Sequence, residues 1–115
     1  MVTNNPLVEA SYQGKMRVEF VETDLSGILT HVRDMIHKGF RLQTHPLSGS
    51  IKPNESPYKS ILITDAAGET DTQSVMIIEE SILTAKKFPI RQIPEQQLQD
   101  MQTVDLSLIR TALEK

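Results

Sequence analysis

The sequence predicts an α/β protein: a three-layer domain with a mostly parallel sheet of about four strands, flanked by helices, and a helical C-terminus. Two observations lead to this fold class. Segments with the apolar pattern of strands alternate along the chain with segments that have the apolar stripe of helices. The chain has only 115 residues and contains no internal repeat or linker, so we expect a single α/β domain over residues 1–115.

The first elements are predicted to form a short β-turn-α-β unit. Val2-Thr3 is interpreted as the end of a strand that runs into a turn at Asn4-Asn5-Pro6, because asparagine tolerates turn geometry and the residue before proline avoids the helical region. Leu7–Gln13 is predicted to be a short helix that Gly14 closes. Met16–Glu22 alternates apolar and polar residues, which predicts a strand.

The next segment has the clearest helical pattern. Its apolar residues recur three and four positions apart, which places them on one side of a helix. They are Leu25, Ile28, Leu29, Val32, Met35 and Ile36. Thr23 or Asp24 can accept hydrogen bonds from the unpaired N–H groups at the start of this helix, and Gly39 is placed to end it.

Two more strands and a second long helix are predicted to follow. Phe40–Thr44 alternates again, and Ser60–Thr64 is a short apolar run rich in β-branched residues, so both are predicted strands. A helix is expected from Thr70 or Asp71, and Pro89 ends it because proline cannot continue a helix.

The C-terminal segment is also predicted to be helical. Pro94 suits a first helical position. The apolar residues that continue along one face are Leu98, Met101, Val104, Leu108 and Ala112. Asp105 can cap a separate last helix, so one bent helix and two short ones fit the pattern equally well.

The composition excludes several classes of protein. The absence of cysteine excludes disulfides, thiolate metal sites and cysteine nucleophiles. A net charge of −3 argues against a module that binds nucleic acid, and 4% aromatic residues argue against base-stacking surfaces. No apolar run is long enough for a membrane span, so we expect no membrane partner and a cytoplasmic location. His31 and His37 are six positions apart, so we predict no metal site, and no cofactor is indicated.

One long loop lies between the strands predicted to end near Thr44 and to start near Ser60. Its sequence, THPLSGSIKPNESPYKS, contains three prolines, and loops of this length are commonly functional. If Val2-Thr3 and Arg41–Thr44 are parallel neighbours, this loop and the turn after Val2-Thr3 leave the sheet at the same edge, where α/β proteins bind ligands. The expected site for a small anion combines amides, an imidazole, backbone N–H groups and lysines: Asn4, Asn5, His45, Ser48, Gly49, Ser50, Lys52 and Lys59.

Each of these residues also has a purely structural interpretation. His45-Pro46 fits a capped turn at the end of a strand, and Asn4-Asn5 belongs to a turn in either account. Ser48-Gly49-Ser50 lacks the spacing of a Walker phosphate loop. Lys52 and Lys59 fit solvated loop charges.

The loop and its flanking segments resemble the GrdX-like family. The similarity lies in the run VRDMIHKGFRLQTHPLSGSIKPNESPYKSILI (Val32 to Ile63), with VTNNPLV before it and VMIIEESILTAKKF after it, and it extends from Val2 to about Phe88. Members of this family are small proteins encoded beside the glycine, sarcosine and betaine reductase components of amino-acid-fermenting anaerobes. The resemblance implies an association with these reductases, and it implies no assigned reaction and no catalytic residues.

The sequence leaves three functions open. The first is an accessory or interaction protein of the reductase pathway, with a small-anion-binding or partner-binding edge at residues 44–60. The second is a small enzyme that acts on a phosphorylated or carboxylate metabolite, with His45 as acid/base and Lys52 or Lys59 stabilising charge. The third is a purely structural subunit. The amphipathic C-terminal segment is compatible with a homodimer.

Overall fold

The computed structural model describes residues 1–47, 55–88 and 92–114. Within these ranges, four helices of 7, 13, 15 and 19 residues surround strands of two residues each. In chain order the elements are β1 (Val2–Thr3), α1 (Pro6–Tyr12), β2 (Glu19–Phe20), α2 (Leu25–His37), β3 (Ser60–Ile61), α3 (Thr72–Lys86) and α4 (Glu95–Leu113).

The sheet is small and mixed. Its strand order is β2-β1-β3, in which β1 is parallel to β2 and antiparallel to β3. Beyond β3, Leu42 forms one isolated antiparallel bridge with Ile63. The predicted three-layer α/β domain with a mostly parallel sheet of about four strands is therefore wrong, because the described chain is mostly helical and its sheet has three short strands of mixed direction.

The strands are shorter than predicted because other hydrogen bonds replace the sheet ladder. In the predicted strand Phe40–Thr44, the N–H groups of Gln43 and Thr44 both donate to the carbonyl of Leu62. The Leu62 N–H in turn donates to the Thr44 hydroxyl at 3.0 Å, so a side chain takes the place of a ladder partner. In the predicted strand Met16–Glu22, only Glu19–Phe20 pairs with β1.

The first three helices lie where the sequence predicts them. Asp24 caps α2 by accepting a hydrogen bond from Gly27 N at 2.8 Å, and Gly39 follows the helix with φ +106°, a conformation that favours glycine. Asp71 caps α3 through Ser74 N. Asn5 caps α1, which is followed by Gly14 with φ +83°.

Helices pack on both sides of the sheet because successive residues of β3 and its continuation point in opposite directions. One core cluster joins α2 and α3 to one side of the sheet: Val2, Ile28, Leu29, Val32, Ile36, Ile61, Ile63, Ile78 and Ile82. The other joins α1 and α4 to the opposite side: Met1, Val8, Leu62, Leu106 and Ile109.

The C-terminal segment forms one continuous helix over the described residues. Pro94 is its N-cap, and α4 runs without interruption through Asp105. Asp105 is therefore an interior helical residue, and it is only 5% exposed. Among the described residues, no helix has both the length and the apolar character needed to cross a membrane.

Candidate functional site

Asn4, Asn5 and His45 lie at the same end of the sheet. Thr3 of β1 pairs with Ser60 of β3, and Asn4 N donates to the Lys59 carbonyl at 3.3 Å. On the other side of β3, the chain from Leu42 also runs antiparallel to β3, so His45 leaves the sheet at the end where β3 begins. The predicted pairing of Val2-Thr3 with Arg41–Thr44 as neighbours is wrong, because β3 lies between them. We call this end of the sheet, residues 3–5, 44–46 and 57–60, the polar edge.

The side chain of Asn4 connects three segments of the chain. Its Nδ2 donates to the carbonyl oxygens of Thr23 at 2.9 Å and Pro57 at 2.8 Å. Its Oδ1 accepts a hydrogen bond from Lys59 N at 2.7 Å. Both amide hydrogens are used, and Asn4 is only 5% exposed, so this side chain ties the end of β1 to Thr23 and to residues 57–59 and has no donor left for a ligand.

Asn5 is fully buried and has a similar bridging role. Its Oδ1 accepts a hydrogen bond from Leu7 N at 3.0 Å, which caps α1. Its Nδ2 donates to the carbonyl of Gln102 and to Oδ2 of Asp105, both at 3.0 Å. Because α1 and α4 are both tied to this one side chain, Asn5 connects the two helices at the polar edge.

Three buried side chains of the polar edge, Thr3, Asn5 and Ser60, form a buried polar cluster with Asp105 of α4. The hydroxyl oxygens of Thr3 and Ser60 are 2.7 Å apart, and Ser60 Oγ donates to Asp105 Oδ2 at 2.7 Å. Asn5 N donates to Thr3 Oγ1 at 3.0 Å. Among the described residues, no buried side-chain nitrogen or oxygen lacks a hydrogen-bond partner, so this cluster is internally satisfied.

Sequence reasoning missed Ser60 and Asp105 as members of the site. The predicted apolar stripe of the C-terminal helix included Val104 and Leu108, which are 39% and 38% exposed. The buried stripe instead includes Asp105, four positions before the buried Ile109. The signal available in the sequence was an aspartate at helical spacing from apolar residues. A carboxylate in such a position is buried only where hydrogen-bond donors contact it, so its spacing indicated a buried polar cluster.

His45 is exposed at the rim of the polar edge. Its Nδ1 accepts a hydrogen bond from Leu47 N at 3.1 Å, which leaves Nε2 to carry the hydrogen of the neutral ring. Among the described residues, this is the one hydrogen bond that the ring makes. The imidazole is thus available to a molecule that approaches from solvent, and the described residues supply no carboxylate to orient it.

Lys59 and Tyr58 are residues of the polar edge on its side towards α4, and both are half-buried. Burial lowers the pKa of the Lys59 ammonium, and the negative charge of Asp105 opposes this shift. The Tyr58 hydroxyl accepts a hydrogen bond from Gln102 Nε2 at 3.0 Å. Lys59 therefore brings a positive charge close to the buried polar cluster.

The remaining predicted site residues, Ser48, Gly49, Ser50 and Lys52, lie outside the described residues. Elsewhere in the described part of the chain, no three His, Asp or Glu side chains are grouped as a metal site would require. His31 instead lies 2.7 Å from Glu19, and His37 lies 3.8 Å from Glu79.

The fold and site define a small helix-rich protein in which one end of the sheet carries a buried, hydrogen-bonded cluster and an exposed histidine. The chain belongs to the GrdX-like family, since the family model described as GrdX-like protein matches residues 1–114. The resemblance predicted from Val2 to about Phe88 is confirmed, and the match also covers α4. Comparison with curated proteins and comparison with solved structures both return no match.

Proposed function

We propose that this GrdX-like protein is an accessory interaction protein that presents its polar edge to a partner. The proposed partners are the glycine, sarcosine and betaine reductase components beside which proteins of this family are encoded. Membership of the family supports this choice of partner. The edge carries an exposed imidazole and a partly buried ammonium, so the contacting surface of the partner is expected to carry anionic groups.

The observation that carries the proposal is that the asparagine side chains of the edge bond within the chain, whereas His45 is exposed to solvent. Asn4 and Asn5 use their amide hydrogens to bind other segments of the chain, which ties residues 4 and 5 to Thr23, Pro57 and α4. His45 is exposed, and the adjacent Thr44 is tied to Leu62 through its backbone N–H and its hydroxyl. An exposed side chain next to a hydrogen-bonded strand end suits recognition, because less backbone entropy is lost when a partner binds.

The alternative function, a small enzyme, requires a more enclosed environment for His45. An acid/base histidine works in a concave site, within hydrogen-bond reach of substrate and of a second group that orients it. In the described part of the chain, the ring is exposed and its hydrogen-bond partner is the Leu47 amide two residues away. The geometry therefore favours the interaction protein.

The test measures binding of the full chain to each purified reductase component by biolayer interferometry. His45→Ala is expected to weaken binding by about tenfold, which is the loss of one charge-assisted contact. His37→Ala, which removes an exposed histidine of α2 outside the polar edge, is the matched control and is expected to leave binding unchanged. Absence of binding to every component, or equal effects of the two substitutions, would overturn the proposal.

A small anion is the second proposed ligand of the same edge. Thermal unfolding in inorganic phosphate and in small carboxylates tests it, because a ligand at 100 times its Kd adds about 2.7 kcal/mol of stability. If stabilisation occurs and His45→Ala removes it, the edge binds the anion. If none of the anions stabilises the chain, the small-anion proposal is rejected and the protein partner is the one proposal that stays.

A further inference from the structure

The outward side of α3 carries a stripe of residues that the fold does not use. Met76 and Leu83 are each 60% exposed, although both are large and apolar. They are seven positions apart, so they lie on the same side of the helix, two turns from each other. Glu80 and Lys87 are also exposed and continue this line. We call Met76, Glu80, Leu83 and Lys87 the outer stripe.

The other side of α3 provides its packing within the domain. Its buried residues are Ser74, Ile78, Ser81 and Ile82, and Ile78 and Ile82 belong to the core cluster with α2. The outer stripe makes no comparable contribution to the core. Its spacing of four, three and four residues matches the seam along which two helices pack. Two apolar side chains at this spacing, with 60% of each exposed, indicate a surface for another helix.

The charges of the outer stripe argue against a second copy of this chain as the occupant. Parallel two-fold packing would place Glu80 against Glu80 of the other copy, and Lys87 against its Lys87. Antiparallel packing, with Met76 opposite Leu83 of the other copy, would place Glu79 and Glu80 opposite the same pair. Like charges that face each other destabilise a helix pair. Each arrangement therefore carries a like-charge contact that a partner with a basic residue opposite Glu80 avoids.

The same charges define the partner that fits. We infer that the outer stripe binds an amphipathic helix of a different protein, with a Lys or Arg between two apolar residues that are seven positions apart. The basic residue faces Glu80, and the apolar residues pack on Met76 and Leu83. An acidic residue beyond the second apolar position faces Lys87 in the parallel orientation. This surface lies on α3, so the inference does not depend on the polar edge or on the reductase components.

The experiment uses the full chain and two synthetic helical peptides of about 20 residues, a length that sustains helix in water. Both peptides carry two leucines seven positions apart; one has lysine at the central position and the other has glutamate. Fluorescence anisotropy is expected to show that the lysine peptide binds at least about tenfold more tightly than the glutamate peptide. Glu80→Lys is expected to reverse this order.

Two double substitutions test the location. Met76→Ser with Leu83→Ser is expected to weaken binding of the lysine peptide by at least about tenfold, because both apolar contacts are lost. Val104→Ser with Leu108→Ser is the matched control, since these are exposed apolar residues of α4, and it is expected to change binding by less than about twofold. Far-UV circular dichroism of both variants checks that the helices are intact.

Three results would overturn the inference. The first is equal affinity for the two peptides, or no binding of the lysine peptide. The second is loss of binding in the Val104 and Leu108 variant to the same degree. The third is a sedimentation experiment in which the chain forms a dimer that Met76→Ser with Leu83→Ser abolishes, because the occupant would then be a second copy.

Discussion

Asn5→Asp is the sharpest test of the buried polar cluster. The substitution keeps the shape of the side chain and the oxygen that caps α1, and it replaces the amide nitrogen with a second oxygen. That nitrogen lies 3.0 Å from Oδ2 of Asp105. Two carboxylates would then face each other where Asn5 is fully buried and Asp105 is 5% exposed. At 3 Å and an effective dielectric constant of 20, their repulsion is about 5.5 kcal/mol.

The folded variant avoids part of this repulsion by holding one proton between the two carboxyl groups. An aspartate in the unfolded chain has a pKa of about 3.9, so keeping that proton at pH 7 costs about 4 kcal/mol. The folded state then binds one proton more than the unfolded state, so its stability falls as the pH rises. We expect a loss of about 4 kcal/mol at pH 7 that shrinks by about 1.4 kcal/mol for each pH unit down to about pH 5.

Urea unfolding at pH 5, 6 and 7 measures this loss against the unmodified chain. The control variant combines Asn5→Asp with Asp105→Asn, which exchanges donor and acceptor and is expected to recover more than half of the loss at pH 7. A loss that does not change with pH would refute the reasoning about paired carboxylates. A loss below about 1 kcal/mol would refute the burial of the cluster.

Three further outcomes are expected. Gly39→Ala is expected to lower the free energy of unfolding by more than Gly14→Ala does. Both glycines have positive φ, which costs alanine about 1–2 kcal/mol. A Cβ at Gly39 would in addition clash with the Gly68 carbonyl, whereas a Cβ at Gly14 would meet no atom of the described residues. Asp71→Asn is expected to reduce the stability of the chain at neutral pH. Hydrogen bonds from the α3 N-terminus lower the pKa of Asp71, so the difference between the two chains is expected to disappear as the pH falls below 3.8. Urea unfolding from pH 2 to 7 measures this difference. Burial lowers the pKa of Lys59 in the folded chain, so at pH values below 10.5 the unfolded state binds more protons. The unmodified chain is therefore expected to gain stability relative to Lys59→Met as the pH rises from 7 towards 10.5. A relative loss of stability over this range in urea titrations would contradict the expectation.

The helices could be predicted from the sequence because their signals are local. An aspartate before an apolar stripe and a glycine after it place both ends of α2 within one residue of the observed helix. The strands could not be predicted in the same way. A strand of two residues is too short for the alternation of polar and apolar residues to reveal its partner or its direction, so the insertion of β3 between β1 and Leu42 was not visible.

The candidate site was predicted in part. The sequence placed Asn4, Asn5 and His45 on one edge, but it could not show that the two amides are used within the chain. Their partners lie far away in the sequence: Asp105 is one hundred positions after Asn5. Local patterns carry no information about such a pair, and the helix signal at Asp105 had a simpler interpretation as a cap.

The pairing of Asn5 with Gln102 and Asp105 has a consequence for biosynthesis. At a translation rate of about 5–20 residues per second, Asn5 is synthesised about 5–20 seconds before its acceptors, Gln102 and Asp105. The packing of α4 on the nascent sheet is thus a late event, and a chain that stops before residue 102 lacks both acceptors of the Asn5 amide.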